Sequence, residues 1–300
     1  MAIEWNGVFP AMTTKFKEDD TLDLDVLGKN IDAQMEAGIH GLILGGSLGE
    51  SSTLSFAEKE VLVKFSLQKT AGKIPVLLNV AEGATKNAVM QAQNAEKWGA
   101  QAIMLLPPMG YRSDFHETVT FFKTVASSVS IPVMLYSNPI DYRIEVTLDM
   151  LEALADIPNI QAIKESSRDV TNVTRIINKF GDRYKVLCGV DTLTVEELLM
   201  GAVGVVGGLV CAFPRETVKL YYMVKEGKIK EAVELFRWFL PMLEMDIRPK
   251  LVQYIKLTEV QVELGTEYVR APRLPVTGAE REMILTTVKQ ALAKRPVFEN

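Results

Sequence analysis

The chain is predicted to be an α/β protein, a (β/α)8 TIM barrel with a small C-terminal helical extension. Three observations predict it. Eight short apolar runs recur along the chain. Most are nearly continuous rather than alternating, as strands buried on both faces must be. Amphipathic stretches separate them, and alternation of strand and helix implies a parallel sheet; eight such units close it into a barrel.

The runs fall in order. Gly7-Val8-Phe9-Pro10-Ala11 is the first. Leu24 to Glu36 follows as a helix, with Leu27, Ile31 and Met35 on one face at the spacing that lines a helix. The second run is Gly41-Leu42-Ile43-Leu44 and the third Val76-Leu77-Leu78-Asn79. Val89 to Trp98 is a helix leading to Ala102-Ile103-Met104-Leu105. Val133-Met134-Leu135-Tyr136, Ile160-Gln161-Ala162-Ile163, Lys185-Val186-Leu187-Cys188 and Gly204-Val205-Val206 complete the set. Glycines at 38, 99 and 201 each stand between a helix and the next strand, where a left-handed residue ends a helix. An open doubly wound sheet is the alternative, but no glycine-rich nucleotide fingerprint follows the first strand. The barrel takes residues 1–225. Residues 226–300 form the extension, with helical patterns at Glu231 to Phe239, Leu251 to Leu257 and Met283 to Leu292.

Composition excludes several classes of function. The 300 residues are 48% apolar, enough for a large core, and the net charge of −5 with scattered cations argues against nucleic-acid binding, which needs a basic face. Charges interrupt every apolar stretch before membrane-spanning length. Met1 to Asn6 has no basic segment followed by an apolar core, so no secretory signal is expected there and the location is expected to be cytoplasmic. Cys188 and Cys211 lie in apolar contexts and should pack as small hydrophobes. His40 and His116 are far apart, in no metal-ligand spacing, so no metal is expected.

Three strand ends carry candidate chemistry, since barrels of this class place their sites at the C-terminal ends of strands. After strand two, Gly45-Gly46-Ser47-Leu48-Gly49-Glu50 leaves backbone amides uncovered, and successive amides form an anion-binding nest. An ordinary strand-to-helix turn capped by Ser51 or Ser52 is the alternative. Strand five ends in Tyr136-Ser137-Asn138-Pro139. A tyrosine there can shuttle protons, or simply be half-buried with its hydroxyl satisfied. Strand six ends in Ala162-Ile163-Lys164-Glu165-Ser166-Ser167. Burial favours a neutral amine, which is a nucleophile; a solvated pair of Lys164 with Glu165 is the bland alternative. Adjacent strands should set Tyr136 beside Lys164, with Ser47 approaching Tyr136 from across the barrel mouth.

These segments resemble the class I Schiff-base lyase superfamily of dihydrodipicolinate synthase and N-acetylneuraminate lyase, over nearly the whole chain. Its members carry a Gly-Thr/Ser-Thr-Gly-Glu loop, a Tyr-x-x-Pro motif and a Lys-Glu/Asp segment at strands two, five and six. The resemblance implies Lys164 as the Schiff-base residue, Tyr136 as acid/base and Ser47 as relay hydroxyl. It implies a carboxylate on the amides of Gly46, Ser47 and Leu48, further substrate contacts at Asn138, Gly189 and Val206, and no organic cofactor. It also implies a homodimer or homotetramer acting on a small carboxylate substrate. The aromatic load of the C-terminal helices is expected to favour such self-association.

Departures narrow the function. Leu48 stands where pyruvate-binding members usually have a second hydroxyl. Asp141 falls where dihydrodipicolinate synthases carry an arginine for the second substrate's carboxylate, and Arg143 lies out of register. Pro107-Pro108-Met109-Gly110-Tyr111 lacks the paired aromatics that supply the synthases' third relay residue, leaving Tyr111 as the substitute. A closer resemblance is to the hydroxyproline-pathway branch, the Δ1-pyrroline-4-hydroxy-2-carboxylate deaminases. It is carried by Trp5 to Ala11, the Gly-Ser-aliphatic-Gly-Glu loop, Tyr136-Ser137-Asn138-Pro139 (resembling that branch's Tyr-Asn-Asn-Pro, with Ser137 a departure), Lys164 to Ser167, Trp238-Phe239-Leu240-Pro241, Leu251 to Leu257 and Arg270 to Leu274. The C-terminal similarities are expected to lie away from the pocket. The alternatives are a 2-keto-3-deoxy sugar-acid dehydratase, a pyruvate-dependent aldolase and a non-catalytic sugar-acid sensor.

Overall fold

A computed structural model describes residues 3–108 and 110–298. Met1, Ala2 and Met109, which entered the sequence expectations, lie outside the described residues. The eight strands are β1 (Gly7–Pro10), β2 (Leu42–Leu44), β3 (Val76–Val80), β4 (Ala102–Leu105), β5 (Val133–Ser137), β6 (Ile160–Glu165), β7 (Lys185–Cys188) and β8 (Gly204–Gly207). All pair in parallel in the order β1-β8-β7-β6-β5-β4-β3-β2, and a parallel bridge between Ala11 and Ile43 closes the ring. Almost every strand residue is buried, which accounts for the continuous apolar runs. The helix over Leu24–Glu36 occupies the span its periodicity predicts, and the one ending at Trp98 begins earlier, at Thr85. Gly99 and Gly201 have φ of +97° and +109°, conformations in which a Cβ is strained.

One irregularity decides the site. Along β5 and β6, Val133 faces Ile160, but Met134 faces Ala162. This bulge advances β6 by one extra residue. Beyond it Tyr136 is opposite Lys164. Without it Tyr136 would face Ile163, and because side chains alternate with period two, the lysine would be out of step with the tyrosine.

Three helices follow the barrel: Ile229–Leu243, Leu251–Gln261 and Gly278–Leu292. The aromatic load of the first turns inward. Phe239 is fully buried, Trp238 stacks on it, and the Trp238 indole donates to Ala291 O at 3.0 Å. The second helix is buried over Val252–Glu259 and is tied to the barrel mouth by two buried ion pairs. Lys256 donates to Glu50 Oε1 and to Tyr268 O, both at 2.6 Å. Lys15 pairs with Glu259, which also accepts from Thr13 at 2.9 Å and Asn30 at 3.2 Å. Lys15 follows β1 and Glu50 follows β2, so this helix seats against the C-terminal ends of the strands, beside the site.

Glu197 is a buried liability elsewhere. Among the described residues neither of its carboxyl oxygens has a hydrogen-bond partner. Burial, with Glu165 nearby, pushes its pKa from 4.5 up to about 8. Between those values the unfolded chain has released a proton that the folded chain keeps, so stability falls as pH rises through the window, by roughly 1.4 kcal/mol per unit. Glu197→Gln is expected to remove that slope and to raise Tm at pH 8 by roughly 5 °C or more. Parallel Tm–pH curves for variant and wild type in thermal melts between pH 5 and 9 would refute this.

Candidate active site

The strand ends converge on one pocket. It is lined by Gly46, Ser47 and Leu48 after β2, Tyr136 and Asn138 from β5 and its loop, Lys164 on β6, Gly189 after β7 and Val206 on β8. The sequence therefore placed all eight residues on one cavity. Ala11, Met104, Asp141, Tyr142, Ser166, Arg168, Asp246 and Leu251 share its wall.

Lys164 is 7% exposed. Its Nζ stands 4.3 Å from the centre of the Tyr136 ring, as register partners on one face must approach. Glu165 takes no part in an ion pair with it. Its carboxylate accepts from Asn172 Nδ2 at 2.8 Å and from Ser167 N at 2.5 Å, on the outer face of the strand. The solvated-pair alternative is thereby excluded. Burial lowers the lysine pKa, against the opposing pull of Asp246, Tyr142 and Asp191. That shift favours the neutral amine, which is the reactive form. Gly189 makes this approach possible, since a Cβ there would fall 2.7 Å from Lys164 Cγ and 2.1 Å from Ser166 Oγ.

Tyr136 has its pKa raised to about 12, chiefly by burial. Asn138 Nδ2 donates to its hydroxyl at 3.1 Å and to Asp141 Oδ2 at 2.7 Å, while Asn138 Oδ1 accepts from Asp141 N at 3.1 Å. The Asn138 amide, expected to bind substrate, is thus engaged within the protein. It lines the pocket but works on Tyr136, whose own proton stays free to move.

The relay differs from expectation. Ser47 does not meet Tyr136 directly; its hydroxyl shares a short hydrogen bond with Tyr142, whose ring packs edge-on against Tyr136 at 5.7 Å between centroids. Tyr111, the expected third relay residue, is 58% exposed and outside the pocket wall. The single helical turn Pro139–Tyr142 after β5 swings Tyr142 back over the strand end. Its phenol pKa is raised by burial and by Tyr136. Tyr142 carries no sequence signal of its own, because the helix that aims it is one turn long.

Two carboxyls, Asp141 and Asp246, line the pocket, with Arg168 a second cation in its wall besides Lys164. Asp191 is 3% exposed and accepts from the amides of Gly208 at 3.1 Å and Leu209 at 2.7 Å. Arg143 is exposed and not in the wall. Asp246, Ile247 and Leu251 correct the expectation that the C-terminal segment lies away from the pocket. The ion pairs of Lys15 and Lys256 hold that segment over the mouth. Among the described residues no group of three or more His, Cys, Asp or Glu could hold a metal ion, and no helix is long and apolar enough to cross a membrane.

Comparison with known proteins places this geometry. Residues 4–291 match the model of the dihydrodipicolinate synthetase family. The chain is 31% identical over 282 residues to the 4-hydroxy-tetrahydrodipicolinate synthase of Archaeoglobus fulgidus, covering 93% of this chain and 94% of that one. It is 35% identical over 240 residues to the enzyme of the same name from Methanothrix thermoacetophila, covering 80% and 81%. Among solved structures, dihydrodipicolinate synthase from Bacillus anthracis superposes with a TM-score of 0.92 at 27% identity, covering 96% of this chain and 99% of that one.

Proposed function

The chain belongs to the dihydrodipicolinate synthetase family, whose chemistry runs through a covalent lysine Schiff base without an external cofactor, and from that premise we propose that it deaminates Δ1-pyrroline-4-hydroxy-2-carboxylate to 2,5-dioxopentanoate and ammonia. The observation that carries this reading is the carboxyl of Asp141 in the pocket wall. Asp141 stands in the pocket at the position where the synthases carry an arginine for a second carboxylate. A carboxyl at that position gives a second carboxylate no cationic partner and suits hydroxyl and amine groups. One carboxylate remains to be bound, and the amides after β2 supply its cradle.

The steps follow from the geometry. The substrate carboxylate docks on the amides of Gly46, Ser47 and Leu48. Neutral Lys164 adds to the imine carbon, C2, and transimination opens the ring, leaving a free amine on C5. A C3 proton is lost to the Tyr136 oxygen as that hydroxyl passes its own proton on to the free C5 amine, with Ser47 and Tyr142 completing the relay. The resulting enamine expels the C4 hydroxyl as water. Proton shifts carry the double bond to C5 as an imine. Water then releases ammonia from C5 and frees the keto group from Lys164. The sum is one substrate and one water giving one dioxo acid and one ammonia.

The relatives' names favour a second reading, the synthase reaction, in which pyruvate condenses with a carboxylate-bearing partner. Dehydration of 2-keto-3-deoxy-pentonate uses the same lysine and also expels a hydroxyl two carbons from the Schiff-base carbon. The deciding experiment is ammonia release from Δ1-pyrroline-4-hydroxy-2-carboxylate by the purified enzyme. Saturable release is expected. No ammonia, with activity in a synthase or dehydratase assay, would replace this reading by the corresponding one.

A further inference from the structure

We propose that Asp246, delivered to the pocket by the C-terminal extension, is the acid that protonates the departing C4 hydroxyl; this rests on the β-elimination in the reaction above. The C4–O bond breaks, its electron pair stays on oxygen, and that oxygen takes the Asp246 proton to leave as water. The enamine supplies the electrons that form the C3–C4 double bond. The aspartate left behind is reprotonated in the later proton shifts.

Elimination among the acids in and near the wall points to this residue. Tyr136 and Tyr142 sit on the β5 side with Ser47 and serve the C3 proton. Asp191 has both oxygens bound to the amides of Gly208 and Leu209, so it is fixed as an acceptor. Asp141 is held by Asn138 and lies at the exposed rim. Asp246 is different. Its Oδ2 lies 3.4 Å from Asp191 N, a weak contact, and no described residue donates to its Oδ1. That Oδ1 faces the bare backbone of Gly208, where a Cβ would be 2.8 Å away.

Leu48 then acquires a role. Its Cδ2 comes within 3.1 Å of the same point on Gly208, so Leu48 and Asp246 Oδ1 border one spot. Ile255 Cδ1 lies 3.0 Å from the same point, so two apolar side chains border that oxygen. A hydroxyl at residue 48 would solvate and hydrogen-bond the ionised form; a leucine cannot. Burial and the nearby charge of Asp191 push the Asp246 pKa up, against Lys164 and Arg168, which pull it down. Formation of the cationic Schiff base leaves a positive charge near it, which eases loss of its proton when the hydroxyl departs. The departure at Leu48 and the carboxyl at Asp246 are thus two halves of one arrangement.

The test compares wild type with Asp246→Asn, which keeps shape but has no acidic proton. Borohydride trapping of the substrate on Lys164 is expected to be unchanged, which also reports a folded site. Ammonia release is expected to fall about 100-fold or more, the scale of a lost general acid. The 4-fluoro analogue, whose leaving group needs no proton, is expected to bring the variant back to within about 5-fold of wild type. Ammonia release within about threefold of wild type would overturn the assignment, as would equal impairment on the hydroxyl and fluoro substrates. If wild type releases no ammonia, the deaminase reading fails and the same pair is assayed on 2-keto-3-deoxy-pentonate. Loss of dehydration in Asp246→Asn there supports the acid; wild type dehydrating neither compound overturns it.

Discussion

Lys164→Ala is expected to abolish turnover and borohydride trapping together, while the protein still folds. The loss should exceed about 10⁴-fold, because the covalent intermediate that splits the reaction into easier steps can no longer form. Stability should change little or even rise, since the variant removes an amine that burial penalises. That combination separates a catalytic lysine from a structural one, whose removal would cost stability and leave a residual rate in proportion to the folded fraction. Lys164→Arg keeps the charge but is never a nucleophile at these pH values, and it should be as inactive as the alanine variant. The wild-type rate should rise with pH as the amine loses its proton, and the rise should come below the ordinary lysine value of 10.5 because burial lowers the pKa. A lysine-free variant that still releases product at a tenth of the wild-type rate would sink the Schiff-base scheme.

What could be read before the fold was known divides along a physical line. The barrel strands were legible because burial on both faces imposes an uninterrupted apolar run, and Lys164 stood out as a charged residue ending such a run. The pairing of Tyr136 with Lys164 could be guessed from strand order. The bulge at Val133 and Met134, which makes the pairing real, leaves no mark in composition or period. Tyr142 and Asp246 were illegible for a related reason. Tyr142 acts through the turn Pro139–Tyr142, too short to show periodicity. Asp246 is 82 residues from Lys164 in sequence, and only the buried ion pairs of Glu50 with Lys256 and Lys15 with Glu259 bring its segment to the mouth. Asp191 could have been found, since it lies two residues past the predicted contact Gly189. Tyr111, singled out by its position after β4, stands exposed and outside the wall of this chain's pocket.

Tyr136 and Tyr142 should separate when each loses its hydroxyl. Tyr136→Phe keeps the ring that packs over Lys164, so substrate trapping should persist, while kcat should fall by about 10²–10⁴, the range for a lost proton-transfer group. Tyr142→Phe breaks the hydrogen bond to Ser47 but leaves Tyr136 in place. Its kcat should fall less, by roughly tenfold to a hundredfold, and Ser47→Ala should bring nearly the same loss. The double variant Ser47→Ala/Tyr142→Phe should be little worse than either single one, because two members of one relay fail as a unit. Tyr111→Phe should match wild type, since that ring is solvated. The measurement is single-turnover kinetics with borohydride-quenched adduct and product followed in parallel. A Tyr111→Phe variant slower than Tyr142→Phe would return the third relay position to the β4 loop. Multiplicative losses in the double variant would mean that Ser47 and Tyr142 act at separate steps, Ser47 on the substrate carboxylate and Tyr142 on the ring of Tyr136.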